Sequence, residues 1–465
     1  MPVERFTTPS ARRAALVAAC LSATLAGLAR ADDALAATVA LLRSADPDLR
    51  MVGIERVRDG LRGATVTRSL AEDLLPTLDG DGQHALVTAL ADRGDPAAFP
   101  GIVRLLTRAT DAQVRGAALL AVGTLGDDRA VPVLVEGLAR GGSETPAAQR
   151  GLVVVGGAKV VDALRAALRE GPSAARPALC SILATRRAFS AAGELAAATV
   201  ADDVELRRAA TRALATLGSA DEVPALVQSV LRTDPGNELE DAERALVAVC
   251  TAGRDRQRAA GAFVTAFETA SATDQERLVG VLGRVGGAGA REVVDTLLAD
   301  PARRRLGVEA LARWPDAAVT DRMMALLEAG ADERERDVIL GGLIRIVPLP
   351  NNGLDDVRKL DLLRRTMDLC RRDEERRRIL ERANAIRTVD TLRFLIPYLD
   401  RPTLADAACL SVVELAHHQK LRDENKDEFT RALDRVLATS KNEELLDRSR
   451  RYKEGRTWNR QRPGT

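Results

Sequence analysis

Three histidines are the side chains of this sequence best suited to hold a metal or to exchange protons near neutral pH: His84, His417 and His418. Adjacent residues of a helix point about 100° apart, so His417 and His418 do not form the i,i+4 pair typical of helical zinc sites. No cysteine or third histidine lies near them in the sequence. The pattern predicts a solvated helix end there, with no metal site and no cofactor.

The other candidate chemistries also lack a partner group. A nucleophile needs a base and an orienting group, and no such set assembles around so few histidines. Adjacent acids such as Asp127–Asp128 and Asp202–Asp203 fall at expected helix starts, where carboxylates cap free N–H groups. The Gly-rich segments 155–159 and 283–289 have no preceding strand, which a phosphate-binding loop requires, and are interpreted as turns. The sequence therefore predicts a protein that is not an enzyme.

The elements that hold these residues are short amphipathic helices, and the clearest pair spans residues 113–139. Apolar residues of its first half recur at helical spacing: Val114, Ala117, Ala118, Ala121, Val122 and Leu125. Those of its second half do the same: Val131, Leu134, Val135 and Leu138. Gly126 and the following acids predict the turn, and Pro132 suits the start of the second helix. A pair this short cannot bury both apolar faces without copies of itself alongside.

A close copy begins at Glu205. It aligns without a gap and repeats the arginine, the paired alanines, the Leu-Gly turn and the Val-Pro of the first pair, with Arg207, Gly218 and Pro224 on Arg115, Gly126 and Pro132. Apolar matches are easily met in an Ala-rich chain, but matching Gly and Pro positions are not.

This pattern resembles the HEAT repeat, in the variety also seen in the phycobilisome-lyase-like family. The resemblance covers roughly residues 45–440 and implies an all-α fold, an α-solenoid of stacked antiparallel helix pairs with a ligand-binding surface. It indicates fold much more than function.

Gly or Pro residues at the expected turns recur along the chain at a spacing of about 30 residues. We expect a HEAT-like α-solenoid of about twelve helix pairs over residues 32–442 and a basic C-terminal tail over 443–465. The tail is interpreted either as solvated and disordered or as anchored through Tyr452 and Trp458, along the last helix pair or on an acidic partner.

Two further features have open interpretations. The connection at residues 348–356 is longer than its neighbours, which suits either a functional loop or a tolerated insertion. Trp314 precedes Pro315 at a turn, where it could anchor a partner or close the end of a helix pair.

The first 31 residues have the features of a cleavable signal peptide. Arg12 and Arg13 precede an apolar stretch over 14–28, and a small-x-small site at 29–31 precedes two aspartates. We expect an exported bacterial protein, periplasmic or extracellular. An N-terminal membrane anchor and a lipoprotein modified at Cys20 are the alternatives.

Charge and cysteine usage narrow the partner classes. Cleavage after Ala31 would leave 64 basic and 66 acidic residues, a net charge of −2, which gives no support to a nucleic-acid or anionic-membrane binder. Aromatic residues make up only 2% of the chain, too few for base stacking along its length. Four cysteines would remain, Cys180, Cys250, Cys370 and Cys409, and each is expected to be a small buried side chain because the repeats hold them apart.

We therefore expect an exported, non-catalytic scaffold or accessory subunit that binds a protein partner. The second helices of such arrays usually line the concave surface. The partner-binding candidates are Glu136, Arg140, Gln228, Arg232, Asp295, Tyr452 and Trp458. The alternative implied by the resemblance is a lyase-type enzyme; another helical-repeat family excises damaged bases. Both usually work inside the cell, which the export signal disfavours.

Overall fold

The computed structural model describes residues 31–61 and 63–458, and these residues form helices and connections without a strand. The chain divides into two compact units, Met1–Gly218 and Ser219–Thr465. The predicted signal peptide up to Arg30, with Cys20, lies outside the described residues. Among the described helices, none combines the length and apolar character needed to cross a membrane.

The first unit contains twelve α-helices in its described part. They are α1 (Ala31–Leu42), α2 (Pro47–Glu55), α3 (Ala64–Ser69), α4 (Gly80–Arg93), α5 (Phe99–Arg108), α6 (Ala112–Leu125), α7 (Ala130–Arg140), α8 (Thr145–Val154), α9 (Val160–Glu170), α10 (Arg176–Thr185), α11 (Ala192–Ala198) and α12 (Val204–Leu217). From α4 onward, even-numbered helices pack on even-numbered helices, and each also packs on its odd-numbered neighbour. We call the even-numbered ones the first helices of their pairs and the odd-numbered ones the second helices.

The second unit continues the same alternation. Its helices are α13 (Val223–Arg232), α14 (Asn237–Ala252), α15 (Arg256–Thr269), α16 (Ala272–Val285), α17 (Gly287–Ala299), α18 (Arg304–Ala312), α19 (Thr320–Glu328), α20 (Glu333–Ile346), α21 (Asp356–Leu369), α22 (Asp373–Ala383), α23 (Val389–Leu395), α24 (Ala405–His417), α25 (Gln419–Glu424), α26 (Lys426–Thr439) and α27 (Glu443–Lys453). The first helices α14 to α24 pack in series. The predicted all-α solenoid is confirmed.

The two helix pairs that align in sequence, α6 with α7 and α12 with α13, form as predicted. In each first helix, the capping residue and the apolar face indicate the same helix start. Asp111 caps α6 by accepting hydrogen bonds from the backbone N–H groups of Gln113 (2.8 Å) and Val114 (2.9 Å). Asp203 caps α12 in the same way. The predicted apolar residues of α6 and α7 are buried except Ala117. Ala117 is half-buried because it faces a groove described below.

Glycine allows the closest approach between first helices. A Cβ atom on Gly123 of α6 would lie 2.3 Å from the Cα atom of Gly151 of α8. No side chain fits at that distance, so the pair of glycines sets the spacing of these two helices.

Arginine side chains join successive pairs by closing helix ends. The guanidinium of Arg115 donates to the carbonyls of Leu106 (2.6 Å) and Ala109 (3.1 Å), where α5 ends. Arg345 on α20 donates to the carbonyl of Ala312 (3.0 Å), where α18 ends. The last carbonyls of a helix have no partner within the helix, so each arginine satisfies groups that the preceding pair leaves free.

The long connection between α20 and α21 is part of the packed structure. Asn352 is buried, and its side-chain amide donates to the carbonyls of Ile346 (2.9 Å) and Val347 (3.0 Å). Its backbone carbonyl accepts from the N–H of Ala317. Trp314 is only 2% exposed, so of its two interpretations the structure agrees with the core side chain and not with an exposed anchor for a partner.

The four cysteines after residue 31 are free and buried, as predicted. Burial raises the pKa of Cys180 and Cys250 to about 12 and that of Cys370 and Cys409 to about 11. The thiolate is the reactive form, so these side chains are inert packing groups in the folded chain.

At the C-terminus, α27 lies within the segment predicted as a tail, so the helical structure continues past the boundary predicted at residue 442. Asn442 caps α27 by accepting from the N–H groups of Glu444 (3.0 Å) and Leu445 (3.3 Å). Leu445 and Tyr452 are buried where α27 packs on α24 and α26. The sequence did not reveal α27, because the charged residues of the segment mask an apolar face with few members. Of the two interpretations of the segment, the structure agrees with the one in which Tyr452 anchors it along the last helices.

Candidate functional site

The residues predicted to bind a partner on second helices lie at the surface. In the first unit, Arg140 of α7 pairs with Glu136 (3.6 Å) and with Glu144 (3.0 Å). In the second unit, Gln228 and Arg232 are exposed on α13. Asp295 of α17 pairs with Arg322 of α19 at 3.7 Å. Three of these five residues therefore form ion pairs within the chain.

The two aromatic candidates near the C-terminus have different surroundings. Tyr452 is 2% exposed, and its hydroxyl lies 2.9 Å from Nδ1 of His417. The guanidinium groups of Arg422 and Arg448 lie 5.3 and 5.8 Å from the centre of its ring. Tyr452 thus anchors α27 on the last helices and offers no open surface to a partner. Trp458 is half-buried against Arg448, 4.8 Å from ring centre to guanidinium.

A groove of about 630 Å³ crosses three consecutive first helices of the first unit, α4, α6 and α8. Its sides come from His84 and Thr88 on α4 and from Pro146 and Arg150 on α8. The floor is α6, whose lining residues are mostly small: Ala112, Gln113, Gly116, Ala117, Leu120, Ala121 and Thr124. The volume falls in the range of sites that bind drug-sized ligands or short chain segments.

The floor of the groove follows from the residues of α6. Gly116 lies inside the helix, and no heavy atom comes within 4 Å of the position that its Cβ would take. Alanines on either side add little bulk. A glycine within a helix costs about 0.5–1 kcal/mol relative to alanine, so this position gives up stability for open space. The glycine inside the helix was the signal in the sequence. Ala117 was expected in the core because its spacing fits either face, whereas Ala121 is buried as expected and still contributes to the lining.

One wall of the groove is held by a buried ion pair. Glu144 belongs to the turn that contributes Ser143 to the lining, immediately before α8. It accepts from Nε of Arg115 (2.5 Å) and Nη2 of Arg115 (3.2 Å). The hydrogen bonds from Arg115, followed by those from Arg140, keep the pKa of Glu144 below its usual value. The carboxylate therefore stays charged near neutral pH and keeps the turn in place.

His84 and Asp92 are the imidazole and the carboxylate among the residues that line the groove. No group of three or more His, Cys, Asp or Glu side chains suited to a metal ion occurs in the described part of the chain. Gly156 and Gly157 lie in the connection between α8 and α9, and Gly286 connects α16 to α17, which begins at Gly287. His417 is exposed at the end of α24, and its ring forms a hydrogen bond with the hydroxyl of Tyr452.

Comparisons with known proteins concern mainly the fold. Residues 68–152, which include α4 to α7 and most of α8, match the family model of HEAT repeats. No curated protein sequence matches the chain. Among solved structures, the karyopherin Kap121p bound to the SUMO protease Ulp1p is similar, with a TM-score of 0.50 and 13% identity over 96% of this chain and 57% of that one. Kap121p bound to Nup53p gives a TM-score of 0.50 and 12% identity over 90% of this chain and 53% of that one. The chain thus spans little more than half the length of these karyopherins, and the likeness concerns the α-solenoid fold.

Proposed function

We propose that this HEAT-repeat protein is an interaction scaffold that binds a segment of a partner protein in the groove across α4, α6 and α8. The observation that carries the proposal is the open floor at Gly116, in the middle of the segment matched by the HEAT family. The groove needs no movement of the core to accept side chains, because the space above Gly116 is empty.

A polypeptide segment suits this groove better than a compact ligand. First helices pack about 8–10 Å apart, so a groove over three of them extends for roughly 16–20 Å. Five or six residues of extended chain cover that distance. The lining combines small apolar side chains with polar side chains such as Gln113 and Ser143. The small apolar side chains leave room for apolar anchor residues of a peptide, and the polar ones suit a peptide backbone that is partly hydrated.

The test fills the groove without disturbing the fold. Gly116→Leu places a side chain on the open floor of α6, and Gly261→Leu is the matched control, since Gly261 lies within α15 and also has open space. Both variants should keep the helical circular dichroism of the original chain. We expect partner capture from the native cell extract to weaken about tenfold, equivalent to about 1.4 kcal/mol, for Gly116→Leu alone. Equal capture of the partner by both variants would show that the groove is not the partner-binding site.

The proposal also includes export and the absence of catalysis. Export is supported by the twin arginines, the apolar stretch and the small-residue site that precede Asp32. N-terminal sequencing of the protein from envelope or culture fractions tests it, with Asp32 as the expected first residue; a lipid-modified Cys20 would contradict soluble export. Turnover of any substrate by the purified chain alone would contradict the non-catalytic part. Nothing in the described residues favours the lyase alternative.

A further inference from the structure

The groove across α4, α6 and α8 has different charges on its two sides. Three of its lining residues have ionisable side chains: His84 and Asp92 on α4, and Arg150 on α8. Asp92 already has a cation beside it, since Nε of Arg58 lies 2.9 Å from its carboxylate, and the same guanidinium also pairs with Glu55 at 2.7 Å. The α4 side therefore combines a histidine with acids that share one arginine, whereas the α8 side contributes a guanidinium.

Arg150 is distinguished by its place, because other exposed arginines such as Arg108 also form no ion pair with the described residues, and Arg150 is the arginine that lines the groove. Its Nε donates to the carbonyl of Pro146 at 3.3 Å, one turn earlier on α8, which holds the side chain along the helix. Its two Nη groups form no hydrogen bond or ion pair within the described part of the chain. The preceding acid of the chain, Glu144, is occupied by two other arginines. The guanidinium of Arg150 is thus available to a ligand.

The uncharged polar side chains of the lining divide into engaged and available ones. The hydroxyl of Thr88 donates to a carbonyl of its own helix α4 at 2.9 Å, and the hydroxyl of Thr124 does the same within α6 at 3.0 Å. The side chains of Gln113 and Ser143 form no hydrogen bond with the residues that the structure describes. An amide and a hydroxyl can each donate and accept, which suits the alternating N–H and C=O groups of a peptide backbone.

We propose that this groove selects a partner segment in which an acidic residue stands two positions from an apolar residue. The apolar residue lies over Gly116, where the floor is open. The acidic side chain contacts the guanidinium of Arg150 in a charge-assisted hydrogen bond. The inference rests on the proposed function, because it names the chemistry of the segment that the groove binds. It adds a charge and a position that the shape of the groove alone does not supply.

The spacing within the segment follows from the packing of the helices. Gly116 is on α6 and Arg150 is on the next first helix, α8, and adjacent helices pack about 8–10 Å apart. Alternate residues of an extended chain are about 7 Å apart and point to the same side. The long side chain of an arginine covers the remaining distance. A segment that crosses the groove therefore places its carboxylate two positions from its apolar anchor.

The charges also determine which side of the groove receives the acidic residue. A carboxylate over α4 would lie near Asp92, which shares the guanidinium of Arg58 with Glu55, and like charges repel. A carboxylate over α8 meets Arg150, whose Nη groups are available. The same distribution disfavours a nucleic-acid strand, because a continuous line of phosphates would pass Asp92 and would contact a single guanidinium of the lining.

The test begins with a selection of displayed peptides of about seven random residues on the purified full chain. The library is first passed over immobilised Gly116→Leu, which removes peptides that bind outside the groove. Peptides that then bind the original chain depend on the groove. Among them, we expect aspartate or glutamate two positions from an apolar residue to be enriched at least about threefold relative to the starting library.

A selected peptide that carries fluorescein then measures the contribution of Arg150 by fluorescence anisotropy. Arg150→Gln should weaken binding of this peptide about tenfold. The matched control is Arg108→Gln, which removes an exposed arginine of α5 outside the lining and changes the net charge equally. Arg150→Glu should reverse the preference, so that this variant binds a peptide with lysine in place of the acidic residue more tightly than the selected peptide.

The outcomes separate this inference from the proposed function. If the groove-dependent peptides lack acidic residues, or if Arg150→Gln and Arg108→Gln bind the selected peptide equally, the inference is wrong while peptide binding in the groove stands. If no displayed peptide distinguishes the original chain from Gly116→Leu, the proposed function fails and the inference fails with it. Tighter groove-dependent binding of a single-stranded DNA of about eight nucleotides would overturn the choice of a peptide.

Discussion

Arg115 and Glu144 form a two-point ion pair, at 2.5 and 3.2 Å, between α6 and the turn that begins the next repeat. Their side chains are only 15% and 12% exposed. The pair therefore links two repeats through charges that water reaches poorly, and such a link should be measurable through pH.

We expect Glu144→Gln to lower the free energy of unfolding by about 1–3 kcal/mol at pH 7, the cost of disrupting a mostly buried charged hydrogen bond. The pKa of Glu144 is lowered in the folded chain. Its stabilisation is thus present above the pKa of an unfolded glutamate and is lost as the pH falls through the folded value. Urea titrations at pH 7 and in steps below pH 4.5 should show the two proteins converging in acid.

Glu276→Gln is the control for that measurement, because Glu276 pairs with Arg305 at an exposed position. Exposed pairs contribute about 0–1 kcal/mol, so this change should have little effect. The free energies of unfolding of Glu144→Gln and of the original chain should become similar in acid. If their difference stayed the same at low pH, the stabilising role of the Glu144 carboxylate would be contradicted.

Two glycines of α6 should respond in opposite ways to alanine. Gly123→Ala inserts a methyl group where a Cβ would lie 2.3 Å from the Cα of Gly151, and should destabilise the chain by about 1–3 kcal/mol or more. Gly116→Ala meets open space and should stabilise it by about 0.5–1 kcal/mol, since alanine favours the helix. Thermal unfolding of the two variants side by side gives the answer, and shifts of the same sign would mean that the helices are spaced differently.

The ring and the hydroxyl of Tyr452 contribute to stability in ways that two variants can measure separately. Tyr452→Phe removes only the hydroxyl, which hydrogen-bonds His417 (2.9 Å) and also accepts from Nε of Arg448 (3.4 Å), and should cost about 0.5–1.5 kcal/mol. Tyr452→Ala also removes a buried ring between two arginines and should cost about 3–5 kcal/mol. The check is the urea midpoint of each variant, and equal costs would show that the ring contributes nothing to the packing of α27.

The buried cysteines should not react with a thiol reagent in the folded protein. In a chain carrying Cys20→Ser, we expect negligible reaction with Ellman's reagent at pH 8 because burial raises the pKa of Cys180 and Cys250 to about 12 and that of Cys370 and Cys409 to about 11. Four thiols should react at once in denaturant. Fast reaction of even one thiol without denaturant would place that side chain at the surface.

The helices were predictable where a cap, an apolar face and a turn residue agree. Asp111 before α6 and Asp203 before α12 are such positions, and the helix lengths there followed from local chemistry. The groove was not predictable, because a small side chain such as Ala117 suits a core and an open floor equally. Similarly, the charge on Arg304 does not reveal that Glu335 of the next repeat lies beside it, since this pair joins residues 31 positions apart.

The arginines that close helix ends determine where the chain can be cut. The carbonyls of Leu106 and Ala109 depend on Arg115, and that of Ala312 depends on Arg345, so each helix end is completed by a residue of a later repeat. A fragment that stops at the end of a helix pair would expose these carbonyls and lose the last turn of its final helix. Fragments prepared for crystallography or for mapping the partner should therefore run on through the next first helix.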